Sequence, residues 1–287
     1  MSAMLAVLMY ATPLALAALG ETVVQKAGVI HIGIEGTMLA GAFFGMLATL
    51  ASGNPWVGLG VGVVVGVTLA LLSGVFALTL TVDQVVVGTA VNLLALGLTR
   101  TMFAMRFGAS GELLSVPKVP SWQGLDAVMV VAVLLAVATH GVLFRTSWGL
   151  ALRSAGEYPQ AAEAAGFSVL RLRYAALVYG GAMAGLGGAY LSLGIAGSFA
   201  DNMTAGRGFL AIAMVTFGRW KPVPVLGACL LLGWLDGLQF TFQAKGVQLP
   251  FQLFLALPYV AALLVLAGMG RGAHAPAALA IPFRRAR

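Results

Sequence analysis

Residues 56–80 read WVGLGVGVVVGVTLALLSGVFALTL and contain no charged side chain. An α-helix needs about 20 consecutive apolar residues to cross the hydrocarbon core of a bilayer, and this run is long enough. Because lipid offers the backbone no hydrogen bonds, a spanning segment must satisfy its N–H and C=O groups internally, as a helix does. The stretch therefore predicts a transmembrane helix.

The rest of the chain has the same character. Of its 287 residues, 60% are hydrophobic and only 9% are charged, whereas a soluble domain carries about 25% charged residues. We therefore predict an all-α integral membrane protein, one domain over residues 1–287 with about nine helices (eight to ten). The first run lacks a basic leading region and a clear cleavage site, so we expect it to be retained. The predicted spans are 3–19, 34–51, 56–80, 85–105, 126–145, 174–197, a short one at 207–218, 223–240 and 250–269.

Basic residues predict the orientation of the chain. The net charge of +7 does not indicate nucleic-acid binding, because Lys and Arg lie in short loops between apolar runs, where they orient a membrane protein. With nine spans, eleven of these residues fall in one set of alternating loops and three in the other. We expect the richer set to be cytoplasmic. The N-terminus is then outside, and the C-terminus, with a basic tail at 271–287, is inside.

The two halves of the chain carry a weak repeat. In each half a polar residue beside glycine opens an apolar run, followed by proline, a Leu-Gly pair and another glycine at matching spacing. The predicted orientation makes the two copies antiparallel, and inverted repeats are a recurrent transporter architecture. Chance recurrence in an apolar chain is the alternative. The matching residues are Glu35, Gly36, Pro55, Leu59, Gly60 and Gly66, then Arg207, Gly208, Pro222, Leu226, Gly227 and Gly233.

One long polar segment, residues 146–173, interrupts the apolar runs. Pro159 suits the first turn of a helix, where its missing N–H is not needed. The residues after it favour a helix, and Gly166 suits the position just past a helix end. We predict a short helix over 157–166 in a cytoplasmic loop. Its alanine face suits insertion into a groove on a partner protein, and an ordinary amphipathic connector is the alternative.

This segment resembles the coupling loop of ABC importer permeases, with its Glu-Ala-Ala motif. It is most similar to the permeases for branched-chain amino acids, simple sugars and nucleosides, whose loop typically reads Arg-Ala-x-Gly-Glu-Asn-Pro-x-Ala-Ala-Glu-Ala-Ala-Gly. This chain departs at Ser154 and at Tyr158, where Asn is usual, and neither change removes the helix or its alanine face. The residues that the resemblance assigns to ATPase coupling are Gly156, Glu157, Tyr158, Pro159, Ala161, Glu163, Ala164, Ala165 and Gly166.

Two further stretches resemble the nucleoside branch of this family. Residues 28–39 look like its Asn-Ile-Gly-x-Glu-Gly signature, with His31 in place of Asn, and residues 83–94 are similar to its Gln-Val-Val-x-Gly-x-x-Asn-Leu block. The resemblance covers nearly the whole chain. It implies a permease subunit of an ATP-driven uptake transporter that moves nucleosides by alternating access. Simple sugars or branched-chain amino acids are the alternative solutes.

The resemblance also implies partners and a location. ATP would be bound by separate ATPase subunits, and the chain itself has no G-x-x-x-x-G-K-[ST] phosphate loop. We expect no cofactor, metal or enzymatic activity of its own, since no Cys/His cluster or Ser/His/Asp constellation occurs. The other expected partners are a second permease subunit, most simply a paralogue in a heterodimer, and an extracytoplasmic solute-binding protein or lipoprotein. The expected location is a bacterial plasma membrane.

Three polar residues are candidates for the solute path. Thr89 and Asn92 lie about one turn apart in the span 85–105, and Gln84 lies at its entrance. Uncharged polar groups can match the hydroxyls and base edges of a nucleoside, and hydrogen bonding between helices is an equal alternative. An ion-coupled secondary transporter or channel, the rival class of function, commonly buries ionisable relays, and the predicted mid-span regions contain almost none.

The remaining predictions concern helix starts and helix packing. Glu35 would be favoured by the positive end of the helix that it opens. The predicted orientation puts Glu35 and Arg207 on opposite sides of the membrane, so we do not expect them to meet. Two glycine ridges are expected to pack helices closely and to carry no chemistry. The helix-start residues are Glu35, Gly36, Arg207 and Gly208, and the ridges are Gly58, Gly62 and Gly66, and Gly181 and Gly185.

Overall fold

The computed structural model describes residues 3–108, 115–244, 260 and 274–283. Within these ranges the chain is mostly helical, with one hairpin of two short strands, β1 (Ser121–Trp122) and β2 (Leu125–Asp126). Short π-helical segments, Val75–Thr79 and Leu191–Ala196, prolong α3 and α8. The helices are α1 (Ala3–Lys26), α2 (Ile34–Ser52), α3 (Pro55–Gly74), α4 (Gln84–Phe107), α5 (Ala127–Arg145), α6 (Ser147–Glu157), α7 (Pro159–Ala164), α8 (Val169–Tyr190), α9 (Arg207–Phe217) and α10 (Pro222–Ala244).

Six of the described helices are long and apolar enough to cross a membrane, namely α1, α2, α3, α4, α5 and α8. Helices α9 and α10 provide shorter apolar segments. Each of the first eight predicted spans coincides with one of these helices. The ninth, 250–269, lies outside the described residues except for Val260, and both ends of the predicted tail at 271–287 also lie outside them. The chain is therefore a multi-pass, mostly helical membrane protein.

Two helix boundaries differ from the prediction by five or more residues, and local hydrogen bonds give the reason. Helix α1 continues to Lys26, past the predicted end at residue 19, because Gln25 donates to Glu21 within the helix at 2.8 Å and both side chains are buried. Helix α8 begins at Val169, before the predicted 174, because the Ser168 hydroxyl caps its first turn. Polar residues in these turns are paired, so they do not end the helices.

Helices α3 and α8 pack with their backbones almost touching. A Cβ at Gly66 would fall on the carbonyl oxygen of Gly181, and one at Gly185 would fall on that of Gly62. The two predicted glycine ridges thus face each other, while Gly58 lies against α2. Small residues allow this approach because no side chain separates the helices. The prediction that these glycines serve packing is confirmed.

The antiparallel helices α1 and α8 lie at the centre of the bundle. Helix α8 packs against α2 and α3, and α1 packs against α9 and α10. Helices α2 and α9 begin at one place inside the bundle, where Gly208 donates to Glu35. From there α9 runs to the end of α1, where Trp220 donates to Gln25, and α2 runs the other way, to Ser192 beyond α8. This arrangement puts two helix starts in the protein interior.

Candidate coupling surface and buried polar residues

Helix α7 has well-defined ends. Pro159 occupies its first turn, and the backbone of Tyr158 separates it from α6. Gly166 follows the helix with φ of 86°, a left-handed conformation that glycine adopts without a steric penalty. The predictions for Pro159 and Gly166 are confirmed. The predicted helix over 157–166 is instead shorter, because Glu157 belongs to the last turn of α6.

The two faces of α7 have different surroundings. Pro159 and Ala162 are buried, and Ala162 belongs to a small cluster with residues of α6 and α8. The outward residues have no cover in this single chain, and the aromatic residues at the two ends, Tyr158 and Phe167, are 70% and 43% exposed. We call the outward set the α7 surface. It consists of Tyr158, Gln160, Ala161, Ala164, Ala165, Gly166 and Phe167.

Helix α7 is held in place by the end of α6. The backbone of Gly156 lies so close to Lys26 and Gly28 that a Cβ would meet the carbonyl oxygen of Lys26. Glu157 is half-buried and accepts a hydrogen bond from the backbone of Ala277 at 3.0 Å. A cavity of about 480 Å³ lies beside the helix, lined in part by Glu163. Helix α7 is thus supported by contacts with residues 26–28 and with Ala277, which are distant in sequence.

Buried polar side chains link α1 to the connection that follows it and to Trp220, which follows α9. Glu21 accepts from Gln25 at 2.8 Å and from the backbone of His31 at 3.2 Å. Gln25 in turn accepts from the indole of Trp220 at 2.7 Å. Burial lowers the pKa of His31 to about 4, so its imidazole is neutral at pH 7 and shares a hydrogen bond with Thr37. These contacts fasten residues 27–33 to the core.

Two of the three path candidates, Gln84 and Asn92, bind the backbone of residues 30–36 through their side-chain amides. The Gln84 carbonyl accepts from Ile30 at 2.8 Å. Asn92 accepts from the N–H of Gly36 at 2.7 Å and donates to the carbonyl oxygen of Ile32 at 3.0 Å. Asn92 thereby satisfies a backbone N–H group in the first turn of α2, where helical bonds are missing, and Gln84 binds the connection that leads to α2.

Thr89 differs from the two amides because its side chain is exposed. Its hydroxyl donates only to Val85 of its own helix, at 2.8 Å. The structure therefore does not bring the three candidates onto one surface. Their role in a solute path stays a prediction.

The prediction that Glu35 and Arg207 lie on opposite sides of the membrane is wrong, although their side chains do not pair with each other. The Glu35 carboxylate accepts from the backbone N–H groups of Gly206 at 2.7 Å and Gly208 at 2.6 Å. A carboxylate is stabilised there by the positive end of α9. The charge argument treated span ends as membrane surfaces, whereas both helices begin inside the bundle. The Arg207 side chain points elsewhere and forms an ion pair with Asp236, at 3.7 Å.

Sequence reasoning missed two further buried ionisable groups. Glu21 falls in a predicted connection, and the extension of α1 makes it fully buried. Arg173 ends the polar segment predicted to lie in a cytoplasmic loop, yet it is 1% exposed and its guanidinium binds the carbonyl oxygens of Ala27 and Ile281. Glu21, Glu35 and Arg173 lie near the ends of their helices and so do not contradict the prediction for the mid-span regions, but the sequence did not indicate that they are buried. Only their helical periodicity with buried residues could have indicated this.

No cluster of metal-ligating side chains occurs among the residues that the structure describes. The contacts above are instead hydrogen bonds that join helix ends, together with one uncovered surface of small residues.

The chain matches the family described as branched-chain amino acid transport system / permease component over residues 3–271. It is 33% identical to the guanosine ABC transporter permease protein NupQ of Bacillus subtilis, over 97% of this chain and 95% of that protein. It is 36% identical to the putative glucose ABC transporter permease protein TsgC13 of Haloferax volcanii, over 83% and 77%.

The nucleoside ABC transporter permease protein NupC of Lactococcus lactis is 30% identical, over 91% of this chain and 89% of that protein. A second guanosine ABC transporter permease protein of Bacillus subtilis, NupP, matches at 28% identity over 76% of this chain. No solved structure matches. With a family match over most of its length, the chain belongs to the branched-chain amino acid transport system permease family, and it is a membrane-spanning permease subunit of an ABC uptake transporter.

Proposed function

We propose that this permease carries nucleosides. The proposal rests on the two relatives named for guanosine and nucleoside transport, which match it almost end to end. A nucleoside presents hydroxyls and base edges, and a protein can recognise these with neutral polar groups. The relative named for glucose supports a sugar as the second candidate.

Competition for uptake tests the solute. The permease should be produced together with its partner subunits in a bacterial strain from which the native nucleoside uptake systems have been deleted. We expect ATP-dependent accumulation of radiolabelled guanosine. Unlabelled adenosine or inosine should reduce this accumulation, whereas excess glucose should not. Accumulation that only glucose reduces would assign the permease to sugars.

The α7 surface is proposed to dock the ATPase subunit, which binds and hydrolyses ATP in place of this chain. Small side chains on a short outward helix let a partner groove approach the backbone closely. The exposed aromatic residues at both ends, Tyr158 and Phe167, offer additional contact area. The observation that carries the proposal is the contrast between buried Ala162 and exposed Ala164 on one helix of a lipid-embedded protein.

One pair of substitutions tests the docking site. Ala164→Arg should prevent the ATPase from co-purifying with the permease and should lower uptake by about tenfold or more, a change of about 1.4 kcal/mol. Ala164→Ser keeps the side chain small and should behave like the unmodified permease. If both variants retain the ATPase and normal uptake, α7 is not the docking site.

An inverted repeat is the proposed internal architecture, with about nine transmembrane helices. In its support, α2 and α9 start together and run in opposite directions, and α3 and α10 both begin at a proline. The helix neighbours also correspond, since α3 packs on α8 while α10 packs on α1. Exchanging α1 with α8, α2 with α9 and α3 with α10 preserves these packing pairs, as an inverted repeat would require. Alternating access would then proceed by movement of one repeat against the other.

The α7 end of the bundle is proposed to face the cytoplasm, with the N-terminus outside and the C-terminus inside. The unequal distribution of Lys and Arg among the loops supports this orientation. A phosphatase that is active only outside the cytoplasm, fused after Arg287, should be inactive. A fusion of the same enzyme before Met1 should be active, and the reverse pattern would overturn the orientation.

The proposed assembly contains two ATPase subunits, a paralogous second permease and an extracytoplasmic solute-binding protein. The occurrence of two guanosine permeases in one bacterium, both similar to this chain, supports a heterodimer. Thr89, with its exposed hydroxyl on α4, is the path candidate that a solute could contact directly. Gln84 and Asn92 would act on the path by holding the start of α2.

A further inference from the structure

The described part of the C-terminal region, residues 274–283, lies against the end of α6. We call it the C-terminal strap. Its first contacts are backbone N–H groups: Ala277 donates to the Glu157 carboxylate at 3.0 Å, and Ala278 donates to the carbonyl oxygen of Gly156 at 2.9 Å. Glu157 and Gly156 immediately precede α7. The strap therefore binds the chain at the point where the α7 surface begins.

The other half of the strap binds the connection between α1 and α2. Ala280 donates to the carbonyl oxygen of Gly28 at 3.2 Å. The Arg173 guanidinium joins the same two segments, because its Nη1 donates to Ile281 at 3.0 Å and its Nε donates to Ala27 at 3.2 Å. Arg173 is almost completely buried, so these charge-assisted bonds are shielded from water.

The strap also contributes apolar contact beneath α7. Phe283 packs against the cluster that includes Ala162, the inward residue of α7, and Val169 at the start of α8. Helix α7 spans only Pro159–Ala164, and a helix this short has little stability of its own. Its orientation depends on what it rests against. The strap supplies part of that support.

Residues 27–33, which the strap holds, lead directly to the buried start of α2. The backbone of His31 donates to Glu21, that of Ile30 donates to Gln84, and that of Ile32 accepts from Asn92. A movement of this connection would therefore reach the place where α2 and α9 begin. Each of these contacts involves the peptide backbone, so a shift of the connection is transmitted to several helices together.

We propose that the C-terminal strap is a positioning element for energy coupling: it clamps the α6–α7 end to residues 27–28, so that displacement of α7 by the ATPase moves the start of α2. This inference rests on the proposed docking of the ATPase at α7. The residues of the strap touch neither the ATPase nor the solute. They act through Gly156, Glu157 and Arg173.

The turn of the strap permits a test at a single N–H group. Leu279 donates to Pro276 across this turn, which makes Ala277 its second residue, a position where proline is well accommodated. Ala277→Pro therefore removes the donor to Glu157 and preserves the turn. Ala277→Gly keeps the donor and is the matched control. At the other end, Arg173→Met removes both bonds of the guanidinium, and Arg173→Lys retains a cation.

The measurement is the number of guanosine molecules transported per ATP hydrolysed, in the complete transporter reconstituted in liposomes. We expect Ala277→Pro and Arg173→Met to lower this ratio by about fivefold, while the ATPase still co-purifies and still hydrolyses ATP. Ala277→Gly should keep the ratio of the unmodified transporter, and Arg173→Lys should restore part of it. An unchanged ratio in Ala277→Pro overturns the proposal, including the case in which Arg173→Met fails to assemble.

Hydrogen exchange separates failure of this inference from failure of the proposed function. The amides of Ala277, Ala278 and Ala280 should exchange slowly in the unmodified protein, and Arg173→Met should accelerate the exchange of Ala280. Exchange at the rate of an unstructured peptide overturns the strap whatever the solute. Slow exchange in a complex that shows no ATP-dependent guanosine uptake would contradict the proposed function and leave the strap in place.

Discussion

Small residues line two surfaces of this permease, and the two surfaces have opposite surroundings. Between α3 and α8, the glycines at 62, 66, 181 and 185 are covered by the backbone of the facing helix. On α7, Ala161, Ala164 and Ala165 are exposed. The residue types are alike, but in one case the complementary surface belongs to the same chain and in the other it does not.

This comparison shows what small residues achieve when lipid is the solvent. Apolar surface gains little by leaving lipid, so helices associate through close packing and through backbone groups that approach one another. The interface of α3 and α8 reaches that state within the chain. The alanines of the α7 surface are similarly small but have no covering helix, and we interpret this surface as one half of an interface. Substitutions between α3 and α8 should therefore lower the stability of the permease. Substitutions on the α7 surface should instead weaken its coupling to the ATPase.

The largest loss of stability is expected at the covered surface. Gly66→Ala should lower the free energy of unfolding by about 3 kcal/mol, because the new methyl group collides with the carbonyl of Gly181. Gly60 lies on the same helix with no atom within 4 Å of an added Cβ, so Gly60→Ala is the control and should stabilise the helix slightly. Thermal unfolding in detergent measures both. Equal midpoints would contradict the close contact of α3 and α8.

A smaller loss is expected where α2 and α9 begin. Glu35→Ala leaves the N–H groups of Gly206 and Gly208 without an acceptor, at a cost of about 2 kcal/mol. Glu35→Gln should lose less, because the amide oxygen still accepts one of these bonds. Unfolding midpoints and the fraction of monodisperse protein report the difference. If Glu35→Gln is as damaging as Glu35→Ala, the negative charge at the start of α9 matters more than the acceptor.

Two substitutions on α4 distinguish a residue that packs helices from a residue that contacts the solute. Asn92→Leu removes two hydrogen bonds to the start of α2 and should cost about 1–2 kcal/mol. Thr89→Val should leave the unfolding midpoint unchanged, since the Thr89 hydroxyl binds only within its own helix. Uptake per assembled complex is then measured for both. A loss of uptake in Thr89→Val alone would assign Thr89 to the solute path, and normal uptake in both variants would remove this part of α4 from it.

The smallest loss of stability is expected on α7, where the two faces can be compared directly. Ala162→Leu introduces extra volume into a buried cluster and should destabilise the protein by about 1 kcal/mol. Ala164→Leu projects outward and should leave stability unchanged while it weakens ATPase binding. Differential scanning fluorimetry and co-purification provide the two readouts. Weakened stability in Ala164→Leu would mean that this alanine is covered within the chain.

The amino-acid sequence by itself determined the class of the protein and most of its helices. Uninterrupted apolar runs such as residues 56–80 indicate helices because lipid leaves the backbone no other partner. Pro159 and Gly166 marked the ends of α7 correctly, since proline and glycine act through local backbone geometry. The glycine ridges predicted close packing for a similar reason. All of these signals depend on residues near one another in the chain.

Only the tertiary structure decided which distant groups meet. Glu35 and Gly206 are 171 positions apart, and no spacing rule relates a carboxylate to backbone donors at that distance. The sequence did not predict the strap, because its main contacts are made by backbone N–H groups. Every residue except proline has such a group, so the alanines of the strap carry no distinguishing signal. Asn92 could equally have faced a solute, and its orientation toward Gly36 follows from how α4 lies on α2. Local propensities specify where helices form, whereas the partners of buried polar groups depend on how those helices pack.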